Sequence, residues 1–511
     1  MTIAFNKKAA AAVCAAFLAV GTFSSCQPDK LNPAPITLFS DQVVFSTPAR
    51  VGLQVNNLYA YVKTGGFLGG RYQIYGDIRA NDFINRTSNG VTGQSVWNHT
   101  LTEASQNDVI NTWTFGYAAI NQINVFLAGM EANAAKFAAP PFAANYATTA
   151  TNYKAEARLL RALSYYSLLQ LYARPYADGN GSKPGLPLRL VAQTDGTDNN
   201  LVRSSVADVY TQIIADLNYA EQNLPLTNGS TSSTLNTTRA HRNTAIALKT
   251  RVYLSMGRYD DVILEANKIV PATAPFMASS GVANALNPSV AAVFAAPQET
   301  TESILSFPFT AQDPPGTQNQ LAYYFLPASL GVGSNGEYGL NTSTGGILTN
   351  SGWAATDLRR TNFVVRSGTE SFLSKYPSGT PFIDKAPVIR YAEVMLSLSE
   401  ARFRTQGATD VQALALLNAV YQRSNPTPVT VPPTALIMYA PFTTVAAAIN
   451  TVLLERRIEF LGEGIRNIDL MRLNATIPGK ASVPAIDPTN VLYIWPIPAT
   501  ELATNTLVVR N

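Results

Sequence analysis

Arg251-Val252-Tyr253-Leu254-Ser255-Met256-Gly257-Arg258-Tyr259-Asp260-Asp261 lies between two apolar stripes, and the fold is decided by how it is read. Upstream, Ala245, Leu248, Val252, Tyr253 and Met256 recur at the spacing of one helical face; downstream, Val262, Ile263, Ala266 and Ile269 begin another. Gly257 interrupts the pattern, so the stretch predicts two helices joined by a tight turn, with the small residue letting them pack closely. One such pair cannot bury its own apolar face and needs stacked neighbours.

Helical stripes on both sides supply them. In 206–224, Val206, Val209, Tyr210, Ile213, Ile214, Leu217, Ala220 and Leu224 mark one buried face, with Ser204 or Ser205 placed to cap its start and Pro225 to stop its end. Leu159, Ala162, Leu163, Tyr166 and Leu169 repeat the spacing, as do Tyr391, Val394, Met395 and Leu398. Trp113 falls on a core stripe with Tyr117, Ile120 and Asn124. Helical pairs are expected at 105–130 with 152–173 and at 388–405 with 410–423. The 251–261 turn is similar to that of a tetratricopeptide repeat, so the predicted class is mainly α, a tetratricopeptide-like superhelix. Two stretches, about 64–104 and 271–386, are rich in Gly, Asn, Thr, Pro and aromatics and lack sustained periodicity. They are expected to form one loop-rich face with a few short strands, among them Ser303–Phe309 and Lys385–Arg390. The frame then comprises about 46–63, 105–270 and 387–474.

The start of the chain reads as an export signal. Lys7 and Lys8 precede an apolar run from Ala9 to Val20, too short to span a bilayer, and Phe23-Ser24-Ser25-Cys26 resembles a bacterial lipobox, with Phe23 where Leu is usual. Residues 1–25 are the expected signal peptide, Cys26 the acylated residue, and 26–45 the lipid anchor and tether. An ordinary secretory signal is the alternative. Cys14 and Cys26 are the only cysteines, so no disulfide is expected. Without the signal, 35 basic residues face 33 acidic ones, no footprint for nucleic acid, and charged residues make up only 14% of the chain, which suits neutral ligands.

Four stretches together resemble the SusD/RagB family of nutrient-binding outer-membrane lipoproteins. They are Glu156-Ala157-Arg158-Leu159-Leu160-Arg161-Ala162 running on to Tyr172-Ala173-Arg174-Pro175; the 251–261 turn; Glu455-Arg456-Arg457-Ile458-Glu459 through Glu463-Gly464-Ile465-Arg466 to Asp469-Leu470-Met471-Arg472; and Pro496-Ile497-Pro498 with Glu501-Leu502 near the end. The resemblance covers nearly the whole chain. It implies a surface-exposed, non-catalytic lipoprotein that binds extracellular glycan or oligosaccharide and delivers it to a SusC-like TonB-dependent barrel. Peptide capture in the same kind of complex, or a ligand-free role in envelope assembly, are the alternatives.

Sugars present flat C–H faces and hydroxyl rims, so a site for them needs aromatic planes and nearby amides or carboxylates. The loop regions hold Tyr72, Tyr75 and Trp97 with Asn81, Asp82 and Asn98, then Tyr323, Tyr324, Tyr338 and Trp353 with Asn335 and Asn341; these are the candidate ligand residues. Catalytic patterns are missing. His99 and His241 are the only histidines and read as structural, there is no H-E-x-x-H or G-x-S-x-G, and no metal or cofactor is expected. Gly331-x-Gly333-x-x-Gly336 matches a dinucleotide fingerprint only as a string, since no helical stripe follows. Glu455, Glu459 and Glu463 share a helical face and are interleaved with Arg456, Arg457 and Arg466, which suggests an ion-pair network rather than a glycosidase pair. Asp77 and Asp82 could form a dyad, but orienting sugar hydroxyls or capping loops suits them better.

Overall fold

The computed structural model describes residues 41–196, 199–426 and 437–511; the expected signal, Cys26 and most of the tether lie outside the described residues. Eleven helices of eight or more residues occur among the described residues: α1 (Pro48–Val62), α2 (Arg71–Ile78), α3 (Asn111–Ala132), α4 (Tyr146–Tyr172), α5 (Val206–Asn223), α6 (Arg242–Ser255), α7 (Tyr259–Ala266), α8 (Tyr391–Gln406), α9 (Val411–Ser424), α10 (Val445–Glu459) and α11 (Ile465–Arg472). From α3 to α9 each packs on the next, α1 lies against α3 and α4, and α10 against α8. This nearest-neighbour order is a stacked helical frame. The two expected pairs are α3 with α4 and α8 with α9.

The 206–224 stripe folds as read. Ser205 Oγ accepts the Asp208 N–H at 3.0 Å to cap α5, and Val206, Val209, Tyr210, Ile213, Leu217 and Ala220 are buried. Trp113 is buried too, its ring 4.7 Å from Tyr117 and 5.0 Å from Tyr172. The turn between α6 and α7 needs a correction. A Cβ on Gly257 would meet nothing closer than the Tyr259 hydroxyl at 4.0 Å, so close packing is not what requires glycine. Its φ of +68° is, because a side chain in that left-handed region is strained.

Three two-stranded antiparallel sheets lie among the loops: β1 (Phe83–Asn85) with β3 (Tyr338–Leu340), β2 (Ser303–Phe307) with β6 (Ala386–Arg390), and β4 (Val364–Ser367) with β5 (Glu370–Leu373). The β2–β6 pair matches the two expected strands. The β1–β3 pair joins the two loop regions into one face, with Phe83 opposite Leu340. Within the first loop region α2 is not foreshadowed by periodicity, because seven of its eight residues are buried and no one-sided stripe exists to read.

Helix α2 meets the start of α11 backbone to backbone. A Cβ on Gly76 would stand 2.3 Å from the Gly464 carbonyl oxygen, and one on Gly464 2.7 Å from the Gln73 Cα. Near residue 511 Trp495 is fully buried between the rings of Tyr75 (5.4 Å) and Tyr172 (5.6 Å), and its backbone N–H donates to Leu171 O at 2.8 Å. Gly257→Ala should cost about 1–2 kcal/mol in urea denaturation, the left-handed penalty alone. Gly464→Ala should cost clearly more, because two backbones must separate; equal losses would contradict the contact.

Candidate functional site

The candidate face is built upward from α2. Arg71, its first residue, donates from Nε to Asn319 Oδ1 (2.6 Å), from Nη1 to the Tyr75 hydroxyl and Asn107 O (both 3.1 Å), and from Nη2 to Gln318 O (3.4 Å). Tyr75 donates to Asp108 Oδ1 at 2.8 Å; burial pushes the Asp108 carboxyl up to about 6, against the pull of Tyr75 and Arg71. Tyr324 donates to Gln318 O at 2.8 Å, and its ring lies parallel to that of Tyr338 at 6.2 Å. Tyr338 in turn donates to Thr92 O at 2.9 Å. These bonds tie together four separate loop segments.

Tyr323 lies on this base, half-buried, its ring edge-on to Tyr324 (5.9 Å) and Phe382 (6.2 Å) and its hydroxyl 3.4 Å from Gln318 Nε2. Asn335 and Gly336 donate their N–H groups to Tyr323 O at 3.1 and 3.2 Å. On the segments that carry or contact Tyr323, Gln318 Oε1, Gln320 Nε2 and Asn335 Oδ1 have no protein partner among the described residues. Gln318 (φ +56°) and Phe382 (φ +59°) hold left-handed backbone without being glycine. Such strain costs about 1–3 kcal/mol and is concentrated in functional segments.

Most predicted ligand residues lie elsewhere or face inward. Tyr75, Tyr324 and Tyr338 are fully buried, and Trp97 and Trp353 nearly so; all five are corrected from exposed binding planes to core rings. Trp97 donates from Nε1 to Phe83 O at 2.8 Å, and Arg360 lies 5.5 Å from the Trp353 ring. Tyr72, half-buried, lines an enclosed cavity of about 20 Å³ with Ser167, Arg251 and Glu463, away from Tyr323. Asn81 is buried and bonded to Gly345 O at 2.7 Å, Asn341 to Asn81 O at 2.7 Å, and Asn98 is half-buried beside Trp97. Asp82 is wholly buried against Arg457, with Arg466 at 3.9 Å. Of the expected set, Tyr323 and Asn335 therefore meet at one half-buried place. Gln318, Gln320 and Phe382 were missed, although the amide run Gln318-Asn319-Gln320 directly before Leu321 was there to be read.

The other constellations are structural. His99 and His241 are buried, and burial lowers both to about 4. Gly336 is followed by β3, not a helix, which removes the dinucleotide reading. Among the described residues no three His, Cys, Asp or Glu side chains gather as metal ligands. Asp77 caps the start of α11, its Oδ2 accepting the Gly464 N–H at 2.6 Å. Glu455, Glu459 and Glu463 do form a buried ion-pair network, but with Arg359, Arg390, Arg423 and Lys375 rather than the neighbouring arginines. Arg456 turns to Asp469 and Arg457 to Asp82.

Fold and candidate site together define a class: a helical repeat scaffold that carries a loop-built face. Residues 54–254 match a SusD-like family model described as starch-binding and associating with the outer membrane, and residues 334–511 match the SusD family model. The chain belongs to the SusD/RagB family. A SusD superfamily protein from Bacteroides fragilis is 29% identical, with a TM-score of 0.76 over 91% of this chain and 99% of that one. One from Bacteroides thetaiotaomicron is 22% identical, TM-score 0.74, over 91% and 99%. A laminarin-binding SusD-like protein is 19% identical, TM-score 0.66, over the same shares, and shows the same fold. No curated protein matches the sequence. No helix among the described residues is long and apolar enough to cross a membrane.

Burial sets a test of Asp77. Desolvation, with the neighbouring Asp82 carboxylate, raises its carboxyl to about 8 despite the Gly464 N–H, whereas an unfolded Asp titrates near ~3.9. Between those values the folded chain binds the extra proton, so stability falls as pH rises from about 4 to about 8. Asp77→Asn, which mimics the protonated acid, should flatten that slope in denaturation midpoints taken across the window. Parallel curves for the two proteins would refute the assignment.

Proposed function

We propose that this protein is a surface-exposed outer-membrane lipoprotein, acylated at Cys26, that binds extracellular glycan or oligosaccharide without cleaving it and passes it to a SusC-like TonB-dependent barrel. The observation that carries the reading is Tyr323: a half-buried ring on a hydrogen-bonded base, on segments where the amides of Gln318, Gln320 and Asn335 each keep one polar atom without a protein partner among the described residues. A ring supplies the stacking plane for a sugar's C–H face, and amides supply both donors and acceptors for its hydroxyls. Family membership and the laminarin-binding relative support the ligand class. The family description supports the membrane association, for which acyl chains suffice. One half-buried ring and a few amides make a shallow site, with affinity on the order of micromolar to millimolar, about 4–8 kcal/mol. Fast release suits delivery.

Calorimetry against a panel of neutral oligosaccharides tests this. Tyr323→Ala should weaken binding about tenfold or more, the ~1–3 kcal/mol of a lost stacking plane and its hydrogen bonds, with little change in unfolding midpoint. Trp353→Ala, by contrast, should lose about 3–5 kcal/mol of stability and leave the affinity of the folded fraction unchanged. Wild-type affinity in the Tyr323→Ala protein would remove the site. In cell fractionation, Cys26→Ser should shift the protein from the outer-membrane to the soluble fraction; retention in the membrane would count against acylation as the anchor.

A further inference from the structure

We infer a second binding site, for an oxyanion-bearing saccharide, in the cleft between the end of α4 and the C-terminal segment. The cleft encloses about 450 Å³ and shares no residue with the Tyr323 face. A volume of this size suits a small ligand. Three guanidiniums line it, those of Arg174, Arg203 and Arg510, against a single side-chain carboxylate, Asp178. Asp178 pairs with Arg174 and Glu103 with Arg510, so Arg203 is the cation of the three that has no carboxylate partner among the described residues.

Two of the three leave much of their hydrogen-bonding capacity unused. Arg174 reaches Asp178 Oδ2 through Nε at 2.6 Å and lies 4.8 Å from the Tyr493 ring, and Arg510 reaches Glu103 Oε1 through Nε at 2.6 Å. Among the described residues, neither has a protein acceptor for its two Nη groups. Arg203 donates only to carbonyl oxygens, of Gly185 (2.8 Å), Pro184 (3.0 Å), Val509 (3.2 Å) and Tyr172 (3.5 Å). It has no carboxylate partner among the described residues, and burial lowers its pKa to about 10.

The unused Nη groups of two ion-paired guanidiniums, beside a third guanidinium with no carboxylate partner among the described residues, are complementary to the paired oxygens of a carboxylate, sulfate or phosphate. Val491, 70% exposed, and Ile494 form an apolar wall, so the ligand carries a C–H face as well as the charge. A uronic-acid oligomer has both. Such a site would let one chain engage acidic sugars apart from the neutral ones that the Tyr323 face suits.

Trigalacturonic acid, galactotriose and inorganic sulfate, titrated calorimetrically into the full chain, test the site. Trigalacturonic acid should bind saturably and more weakly at high salt, and the double variant Arg174→Gln/Arg510→Gln should bind it about 10- to 100-fold more weakly, the loss expected for charge-assisted hydrogen bonds. Arg510→Gln alone, changing a side chain 69% exposed, should keep the fold and show part of that loss. Tyr323→Ala should leave trigalacturonic acid binding intact, which separates this site from the loop face. Sulfate binding as tightly as trigalacturonic acid would overturn the saccharide and leave a bare oxyanion site. Undiminished trigalacturonic acid binding in the double variant, or none in the wild type, would overturn the site itself.

Discussion

Arg390 holds the frame and the loop face together. It ends β6 and directly precedes α8, and its guanidinium, 2% exposed, meets both oxygens of Glu463 at 2.8 Å, Glu459 at 3.0 Å, and Glu302 at the start of β2. Arg423, from the last turn of α9, bonds Glu302 at 2.7 Å and Glu459 at 2.5 Å; Arg359 bonds Glu455 and Glu459; Lys375 bonds Glu463 at 2.9 Å. Burial would raise Glu459, but the surrounding Arg423, Arg390 and Arg359 hold it well below the ordinary carboxylate range. Removing one partner from such a buried group costs about 3–5 kcal/mol, whereas replacing the whole group with packed apolar residues can be neutral. What the network supplies is specification: only one juxtaposition of β2, β6, α9 and α10 satisfies every charge.

Where the sequence was readable, the reason is periodicity. Stripes such as Val206 to Ala220 have one wet side and one dry side, so they announce a helix. Helix α2 is enclosed all round and announces nothing, and β1, β3, β4 and β5 are too short, at three or four residues, to show alternation. The glutamates at 455, 459 and 463 were legible as an ion-pair network but not in their partners. The rule pairing residues three or four apart describes exposed faces, where neighbours on one helix compete only with water. On a buried face the nearest cations belong to other segments, here to Arg359, Arg390 and Arg423.

The candidate site was half legible for a related reason. A loop region of over a hundred residues must bury apolar surface of its own, and aromatics are the residues that do it. Composition therefore brought Tyr75, Trp97, Tyr324, Tyr338 and Trp353 to notice for the wrong cause: they are the interior of the loop face, not its binding surface. What separates Tyr323 from Tyr324 is one position in a short helical turn, Leu321–Phe325, which points successive side chains about 100° apart and leaves one ring half out of the core.

A loop has no backbone ladder to hold a side chain still, so Tyr323 depends on what lies beneath it. Glu463, clamped by Arg390, immediately precedes Gly464; Gly464 meets Gly76 backbone to backbone and is capped by Asp77. That contact positions α2, whose Arg71 and Tyr75 secure Asn107, Asp108, Gln318 and Asn319, the segment from which Gln318 and Gln320 project beside Tyr323. Every step is a buried polar bond or a close backbone approach, and neither yields gradually to displacement. A face held this way would meet the proposed ligand without first being ordered, so little of a small interaction energy would be lost to rearrangement. For a site with one plane and a few amides, that saving would decide whether binding is measurable at all.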